Sequence, residues 1–434
     1  MLLGLWALAS CGMWTAEPAP RWTFEPAEQP HLVLFVVLDT LRSDHLSLCD
    51  YERPTTPVLE QLVRDGAEAT CTAVSPASWT IPSHASYFTG LPVPEHRADR
   101  EGRPLPQQLE TLAEHMADKG YQTAMVSANG LLEDVSGLTR GFQHTDVARP
   151  KDHRLRKGKL PDAVDRTLDQ IDADQPLFLF VNIFDAHDPW DAVPEGLDWV
   201  EPQRGVRLKA TSPDPDDPVN KYVTGRMPSR AAGRYLRRIG NAYDHGIHQA
   251  DDNLGHVLEL LQRRGWLAKG VRLVVTSDHG EFLGEHQMLR HGCFVYEPVV
   301  RVPLLVLDST GPTPALGEEP ISAMAAHGLV RDGRLPDAGP VATYSHNRHE
   351  AFRGSADMMA VYDGHDKLVW QEGEIWQVDW FADPLEASPR PLGDDPRRAE
   401  IEAMAAAYQQ AMADGSEGSD ELKQLLEQLG YVAD

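Results

Sequence analysis

From His31 to Leu38 (HLVLFVVL) the chain holds an unbroken apolar run, the pattern of a strand buried on both faces of a parallel sheet. Asp39 ends it. Similar runs return at Tyr121–Ser127 (YQTAMVS), Leu177–Phe184 (LFLFVNIF), Val271–Thr276 (VRLVVT) and Val302–Leu307. Between them apolar residues recur at helical spacing: Pro57–Asp65, closed by Gly66; Leu109–Lys119, closed by Gly120; Asp162–Ile171; and the long stretch Arg230–Arg264. Strands alternating with helices predict an α/β fold with a mostly parallel sheet flanked by helices. Polar side chains gather just past the strand ends, at Asp39, Asp185, His187, Asp278 and His279. Open α/β sheets place their ligands there.

After Leu307 the texture changes. Asp308–Pro340 is rich in Gly, Pro and Ala. Strand-like runs then appear at Met358–Tyr362 and Lys367–Trp370, and Arg398–Leu429 is helical and strongly charged. We therefore divide the chain into a catalytic domain over 31–310 and a smaller C-terminal α+β subdomain over 340–434. At the other end, MLLGLWALAS precedes Cys11, and Leu8-Ala9-Ser10-Cys11 resembles a bacterial lipobox. Residues 1–11 then form a signal segment and 12–30 a Pro/Ala/Glu-rich tether. The expected location is the periplasm or cell envelope, with a lipid anchor on Cys11 as the membrane contact.

The balance of 40 basic and 66 acidic residues, a formal charge of −26, speaks against a nucleic-acid partner. No two of the four cysteines, Cys11, Cys49, Cys71 and Cys293, have CxxC spacing, which argues against a structural zinc site. An oxidising compartment would allow a Cys49–Cys71 disulfide.

Asp278 and His279 together, with Asp39 from another strand end, supply hard oxygen and nitrogen ligands for one divalent metal ion: Ca, Mg, Mn or Zn. Singly, each reads as a helix cap or turn residue. The segment Trp79-Thr80-Ile81-Pro82-Ser83-His84 places Thr80 just before a helix start, where free N–H groups and the helix dipole favour an oxyanion. A hydroxyl near a metal ion loses its proton at lower pH and becomes a nucleophile.

LVLFVVLDTLRSDHL, PTTPVLEQLVRDG, SWTIPSHASYFTGL, TSDHGEFLGEHQMLRHG, YEPVVRVPLLV and HDKLVWQEGEIWQVDWFADPLEA follow one another in order. Over residues 31–390 this series resembles the sulfatase family. The resemblance implies the alkaline-phosphatase-like fold. It also implies a metal held by Asp39, Asp278 and His279, with Thr80 as a further ligand. His187 and His291 match positions that contact the substrate's anionic group or protonate the leaving group. One departure stands out. Sulfatases carry C-x-P-S-R and convert the Cys (sometimes Ser) to formylglycine, whereas this chain has Thr80, which cannot be converted, and His84 in place of the Arg. Thr is the nucleophile in relatives that cleave or transfer phosphate esters. The candidate catalytic residues are thus Thr80, His84, His187 and His291, acting on an anionic ester of a glycan, lipid or small molecule, with phosphate favoured over sulfate. The alternatives are a phosphoglycerol or phosphoethanolamine transferase and an inactive binding lipoprotein. A second metal, drawn from Asp185, His187, His346 or His349, is the less expected arrangement.

Overall fold

A computed structural model describes residues 21–99, 103–148, 159–208, 214–337, 339–346, 357–413 and 419–429. Its strands up to residue 322 are β1 (Leu32–Leu38), β2 (Glu68–Val74), β3 (Gln122–Ser127), β4 (His144–Val147), β5 (Leu177–Ile183), β6 (Val271–Thr276), the hairpin β7 (Phe282–Leu283) and β8 (Leu289–Arg290), β9 (Arg301–Asp308) and β10 (Ile321–Ser322). Eight of these form one sheet in the order β10-β2-β9-β6-β1-β5-β3-β4. Every neighbouring pair is parallel except those of β9, which runs antiparallel to β2 and β6.

The apolar run at β1 is explained by its place: all seven of its residues are fully buried. Leu32, Leu34, Val36 and Leu38 face a core closed by the helices Pro57–Arg64, Leu160–Leu168 and Ser229–Arg263. Val33, Phe35 and Val37 face a second core under Thr80–Thr89, Leu112–Asp118 and Ala325–Asp332. A strand sandwiched this way has no polar face to show, and each large side chain so buried contributes about 1.5–3 kcal/mol.

Two strands of this sheet escape the apolar-run pattern. β2 (EATCTAV) is partly exposed along its length, and its register against β9 is irregular between Thr70 and Ala73. β4 has only four residues, none fully buried. The Gly/Pro-rich stretch after Leu307 also holds more structure than its composition suggests. It contains β10 and the helix Ala325–Asp332, which buries Ala325, Ala326, Leu329 and Val330.

The C-terminal strands β11 (Val341–Ser345), β12 (Met358–Asp363), β13 (Asp366–Gln371), β14 (Glu374–Asp379) and β15 (Arg390–Pro391) form a separate antiparallel sheet. The helix Arg398–Ala413 covers it through Ile401, Ala405, Tyr408 and Met412. The expected single helix is instead two, and the second, Asp420–Leu429, packs Leu422 and Leu425 into the core of the large domain.

At the N-terminal end, Cys11 and the lipobox segment lie outside the described residues. Residues 21–30, read as the end of a tether, are laid on the domain: Trp22 is buried in the core, and the Thr23 N–H donates to Gln262 Oε1 at 3.0 Å. Among the described residues no helix is long and apolar enough to cross a membrane. Cys49 and Cys71 are joined in a disulfide, with 5.9 Å between their Cα atoms, and Cys293 is buried.

Candidate active site

Parallel pairing of β1 with β6 sets Val37 beside Thr276, so the chain leaves both strands at one level and carries Asp39 and Asp278 to adjacent turns. The turns are stitched together. The Thr40 N–H donates to Asp278 Oδ1 (3.1 Å) and the Leu41 N–H to Ser277 Oγ (2.8 Å). The Asp39 N–H donates to the Ile183 carbonyl at the end of β5 (2.8 Å). Asp39 Oδ2 accepts from Asn129 Nδ2 (2.7 Å) and Asn182 Nδ2 (3.2 Å), while Asp278 Oδ1 also accepts from the His279 N–H (3.0 Å). Asp39 Oδ1 and Asp278 Oδ2 are buried and make no hydrogen bond among the described residues.

His279 completes the group. Its Nδ1 lies 2.9 Å from the Gly280 carbonyl and must donate to it; burial pulls the His279 pKa down and keeps the ring neutral, so Nε2 carries the lone pair. Nε2 is 3.3 Å from Asp278 Oδ2 and 3.3 Å from Thr80 Oγ1. With Asp278 ionised, a carboxylate oxygen and an imidazole lone pair face each other. Burying such acceptors is costly unless a cation joins them. Asp39, Asp278 and His279 offer ligand atoms all within 4.8 Å of one another, and they are the only such group among the described residues. Two hard oxygens and one imidazole nitrogen fit a divalent cation. In its absence burial pushes the Asp39 carboxyl up to about 7, and Asp278 adds to the shift. Burial likewise pushes Asp278 up to about 7, against the N–H groups of Thr40 and His279.

Thr80 is the first residue of the helix Thr80–Thr89, one position further in than expected; Trp79, in extended conformation, occupies the cap. Thr80 is fully buried against the cluster. His84, one turn on, has its Nδ1 2.9 Å from the Thr80 carbonyl and 3.8 Å from Asp278 Oδ2. Its ring lies edge-on to Tyr87, Phe88 and Phe180, and burial pulls its pKa down to about 3. A neutral imidazole thus takes the place of the family's Arg, holding the first turn of the helix and bringing no charge.

Two further histidines close the site. The His291 ring lies 4.3 Å from that of His279, and the His187 ring meets His291 edge-on at 5.0 Å. His187 stacks on Phe184 at 4.2 Å, and its Nδ1 is directed to the Asp188 carbonyl. His291 Nδ1 faces Glu281 Oε2 at 3.2 Å, and burial pushes the Glu281 carboxyl well above the usual range.

Thr80, His84, His187, His291, Asp39, Asp278 and His279 are thus all brought together. Asp185 is not. Its carboxylate accepts from Asn253 Nδ2 (2.9 Å) and lines a separate cleft of about 420 Å³ with Asp162, Asp252 and His256. His346 pairs with Asp357 (2.7 Å), and His349 lies outside the described residues. No second metal group therefore forms among the described residues around Asp185. Sequence reasoning missed Asn129, Asn182 and Glu281. Of these only Asn182 left a signal, as the one amide in an otherwise apolar buried strand.

The sulfatase family model matches residues 31–327. The uncharacterized sulfatase YidJ of Escherichia coli (strain K12) is 24% identical over 326 residues, which cover 64% of this chain and 63% of YidJ. The chain thus spans somewhat under two thirds of that relative's length. Among solved structures, the phosphonate monoester hydrolase of Agrobacterium radiobacter superposes with a TM-score of 0.66 at 19% identity, covering 88% of this chain and 96% of the hydrolase. A protein solved with its substrate D-glucosamine-2-N,6-O-disulfate gives a TM-score of 0.62 at 16% identity, covering 92% of this chain and all (100%) of the other.

Proposed function

Because the chain belongs to the sulfatase family, we propose that it hydrolyses an anionic ester, a phosphate or phosphonate ester in preference to a sulfate ester, with Thr80 as the nucleophile. The observation that carries this reading is the Thr80 hydroxyl, buried at a helix start 3.3 Å from His279 Nε2, where formylglycine chemistry would need a Cys or Ser.

Asp39 Oδ1, Asp278 Oδ2 and His279 Nε2 are the atoms that would hold a divalent cation. When bound, such a cation supplies Lewis-acid polarisation of the ester and eases loss of a nearby hydroxyl proton. Thr80 gives its proton to solvent, and its Oγ forms a bond to phosphorus as the bond to the leaving oxygen breaks. In the first helical turn Pro82 has no N–H and the Ser83 N–H bonds the Trp79 carbonyl, so the N–H groups of Thr80 and Ile81 are the ones that would face the developing charge. The His291–Glu281 pair provides the proton. Nε2 of His291 gives one to the leaving oxygen while Nδ1 is refilled from the buried Glu281 carboxyl, whose raised pKa keeps a proton available. Water then attacks the same phosphorus and the Oγ–P bond breaks; one proton of that water restores the His291–Glu281 pair, the other stays on the phosphate, and Thr80 takes a proton back from solvent. His187, with Nδ1 committed to the Asp188 carbonyl, donates through Nε2 to an oxygen of the anionic group in its imidazolium form.

The reading is tested with aryl phosphate monoesters, diesters, phosphonates and sulfates, assayed with and without an acceptor alcohol. Phosphorus esters should give the highest kcat/KM. Thr80→Ala should lose at least about a thousandfold, and the quenched wild type should carry a phosphoryl adduct on Thr80. Faster turnover of sulfates, or near-wild-type activity in Thr80→Ala, would overturn it. Product formation only with the alcohol present would favour transfer over hydrolysis.

A further inference from the structure

Thr40 stands between Asp39 and the turn to Arg42 with φ at +61°. A β-branched residue is a steric misfit in this left-handed region, and it holds there only when its surroundings over-determine it. Its surroundings do so here. The Thr40 N–H is committed to Asp278 Oδ1, its Oγ1 donates to the Asp39 carbonyl (2.7 Å), and its own carbonyl accepts from the hydroxyl of Tyr243 at 2.7 Å. The same hydroxyl accepts from the Arg42 N–H at 3.0 Å. Tyr243 is fully buried in the long Ser229–Arg263 helix, about two hundred residues on in the chain. One phenol oxygen thus clamps both sides of the turn.

We infer that Tyr243 is a positioning residue for the metal cluster: its hydroxyl holds the Thr40 turn in the left-handed conformation that presents Asp39 Oδ1 and Asp278 Oδ2 together. Three consecutive N–H groups of this turn go to three side chains, Thr40 to Asp278, Leu41 to Ser277 and Arg42 to Tyr243. Only the Tyr243 link comes from outside the two strand-end turns. Tyr243 also has a second polar duty, at the Thr40 carbonyl. Without it, that carbonyl and the Arg42 N–H lose their partner in a buried place, and the strained turn has an incentive to relax. Relaxation rotates the Thr40 N–H away from Asp278 and leaves Asp278 Oδ1 held by the His279 N–H alone, so the two carboxylates no longer meet at a fixed spacing. Outer groups that orient metal ligands typically change affinity by about ten- to a hundredfold.

The inference rests on reading Asp39, Asp278 and His279 as a metal site, and the test separates the two. Mn²⁺ is titrated calorimetrically into the metal-stripped full chain and into Asp39→Ala, Tyr243→Phe, Thr40→Gly and the double variant Tyr243→Phe/Thr40→Gly, with melting measured in chelator alongside. Asp39→Ala should lose binding; wild-type binding there would sink the metal site itself, and the inference with it. Tyr243→Phe should weaken Mn²⁺ binding about tenfold. Thr40→Gly, which adopts positive φ without strain, should bind within about threefold of wild type and should restore most of the affinity in the double variant. A Tyr243→Phe protein that melts lower but binds Mn²⁺ as the wild type does would show a merely structural tyrosine. A double variant no better than Tyr243→Phe would also overturn the inference, because backbone strain would not be what the hydroxyl restrains.

Discussion

Two of the buried carboxylate pairs among the described residues are settled in opposite ways. At the junction with the C-terminal sheet, Glu297 and Glu386 share Lys367: its Nζ is 2.8 Å from Glu297 Oε1 and 2.7 Å from Glu386 Oε1. The Lys367 ammonium also donates to the Val295 carbonyl, and Tyr362 donates to Glu297. Burial alone would pull the Lys367 ammonium down, but the two carboxylates reverse this and hold it above its ordinary value. At the ends of β1 and β6, Asp39 and Asp278 are equally buried, yet the group facing them is the unprotonated Nε2 of His279. The first pair contains its own cation and needs nothing from outside. The second offers an outside cation three ligand atoms within 4.8 Å of one another. A buried acidic pair is therefore not in itself a sign of function; what distinguishes the two is which neighbour the fold supplies.

The contrast can be broken most sharply at the strand ends. Asp278→Asn should remove stoichiometric metal and lower turnover by at least about a thousandfold while the protein stays folded, as read by elemental analysis and circular dichroism. Full metal content in this variant would mean that the two pairs do not differ as described. Next in size, Lys367→Met leaves two carboxylates buried without a cation and should cost about 3–5 kcal/mol in unfolding free energy. Adding Glu297→Gln and Glu386→Gln to Lys367→Met should recover most of that loss, since the repulsion then disappears. No comparable recovery of metal binding should follow any substitution of Asp39.

The smallest effect is on pH dependence. The Asp39 and Asp278 carboxyls have folded-state values of about 7 against an ordinary 3.8. Below the ordinary value both states of the chain hold these protons. Between the two values only the unfolded chain ionises, so the metal-free protein should lose stability as pH rises toward 7 and level off above it. Metal at a hundredfold excess over its Kd should add about 3 kcal/mol and reverse the slope, because the bound state takes the ionised carboxylates. A metal-free melting temperature that climbs from pH 5 to 7 would contradict this assignment.

Much of this was legible beforehand, for physical reasons. β1, β5 and β6 are buried on both faces, so their residues are nearly all apolar and the strands announce themselves. Asp39 follows directly after β1, and Asp278 and His279 come one residue past β6. β2 did not announce itself, because a partly exposed strand such as EATCTAV keeps polar residues. Asn129 is reached only by way of the turn after β3, and Glu281 matters only because β7 and β8 fold His291 back upon it. Such pairings depend on contacts between distant parts of the chain. Asp185 shows the converse: strand-end position alone misled, since its side chain turns to Asn253 on the long helix.

The stitching of β1 to β6 also says something about how this protein comes into being. Asp278 and His279 follow Asp39 only after some 240 further residues, and β1 cannot find its neighbour at β6 until then. Until β5 is made, LVLFVVL is an apolar segment with neither edge paired, the kind of segment that attracts chaperones or other copies of itself. Its other neighbour, β5, arrives about 140 residues after β1 and offers a first resting place. The cation cluster can form only when the last of these pieces is in place. Metal uptake by nascent chains of increasing length would then act as a timer for the closing of the sheet, silent in chains that stop before residue 279 and present in those that complete β9.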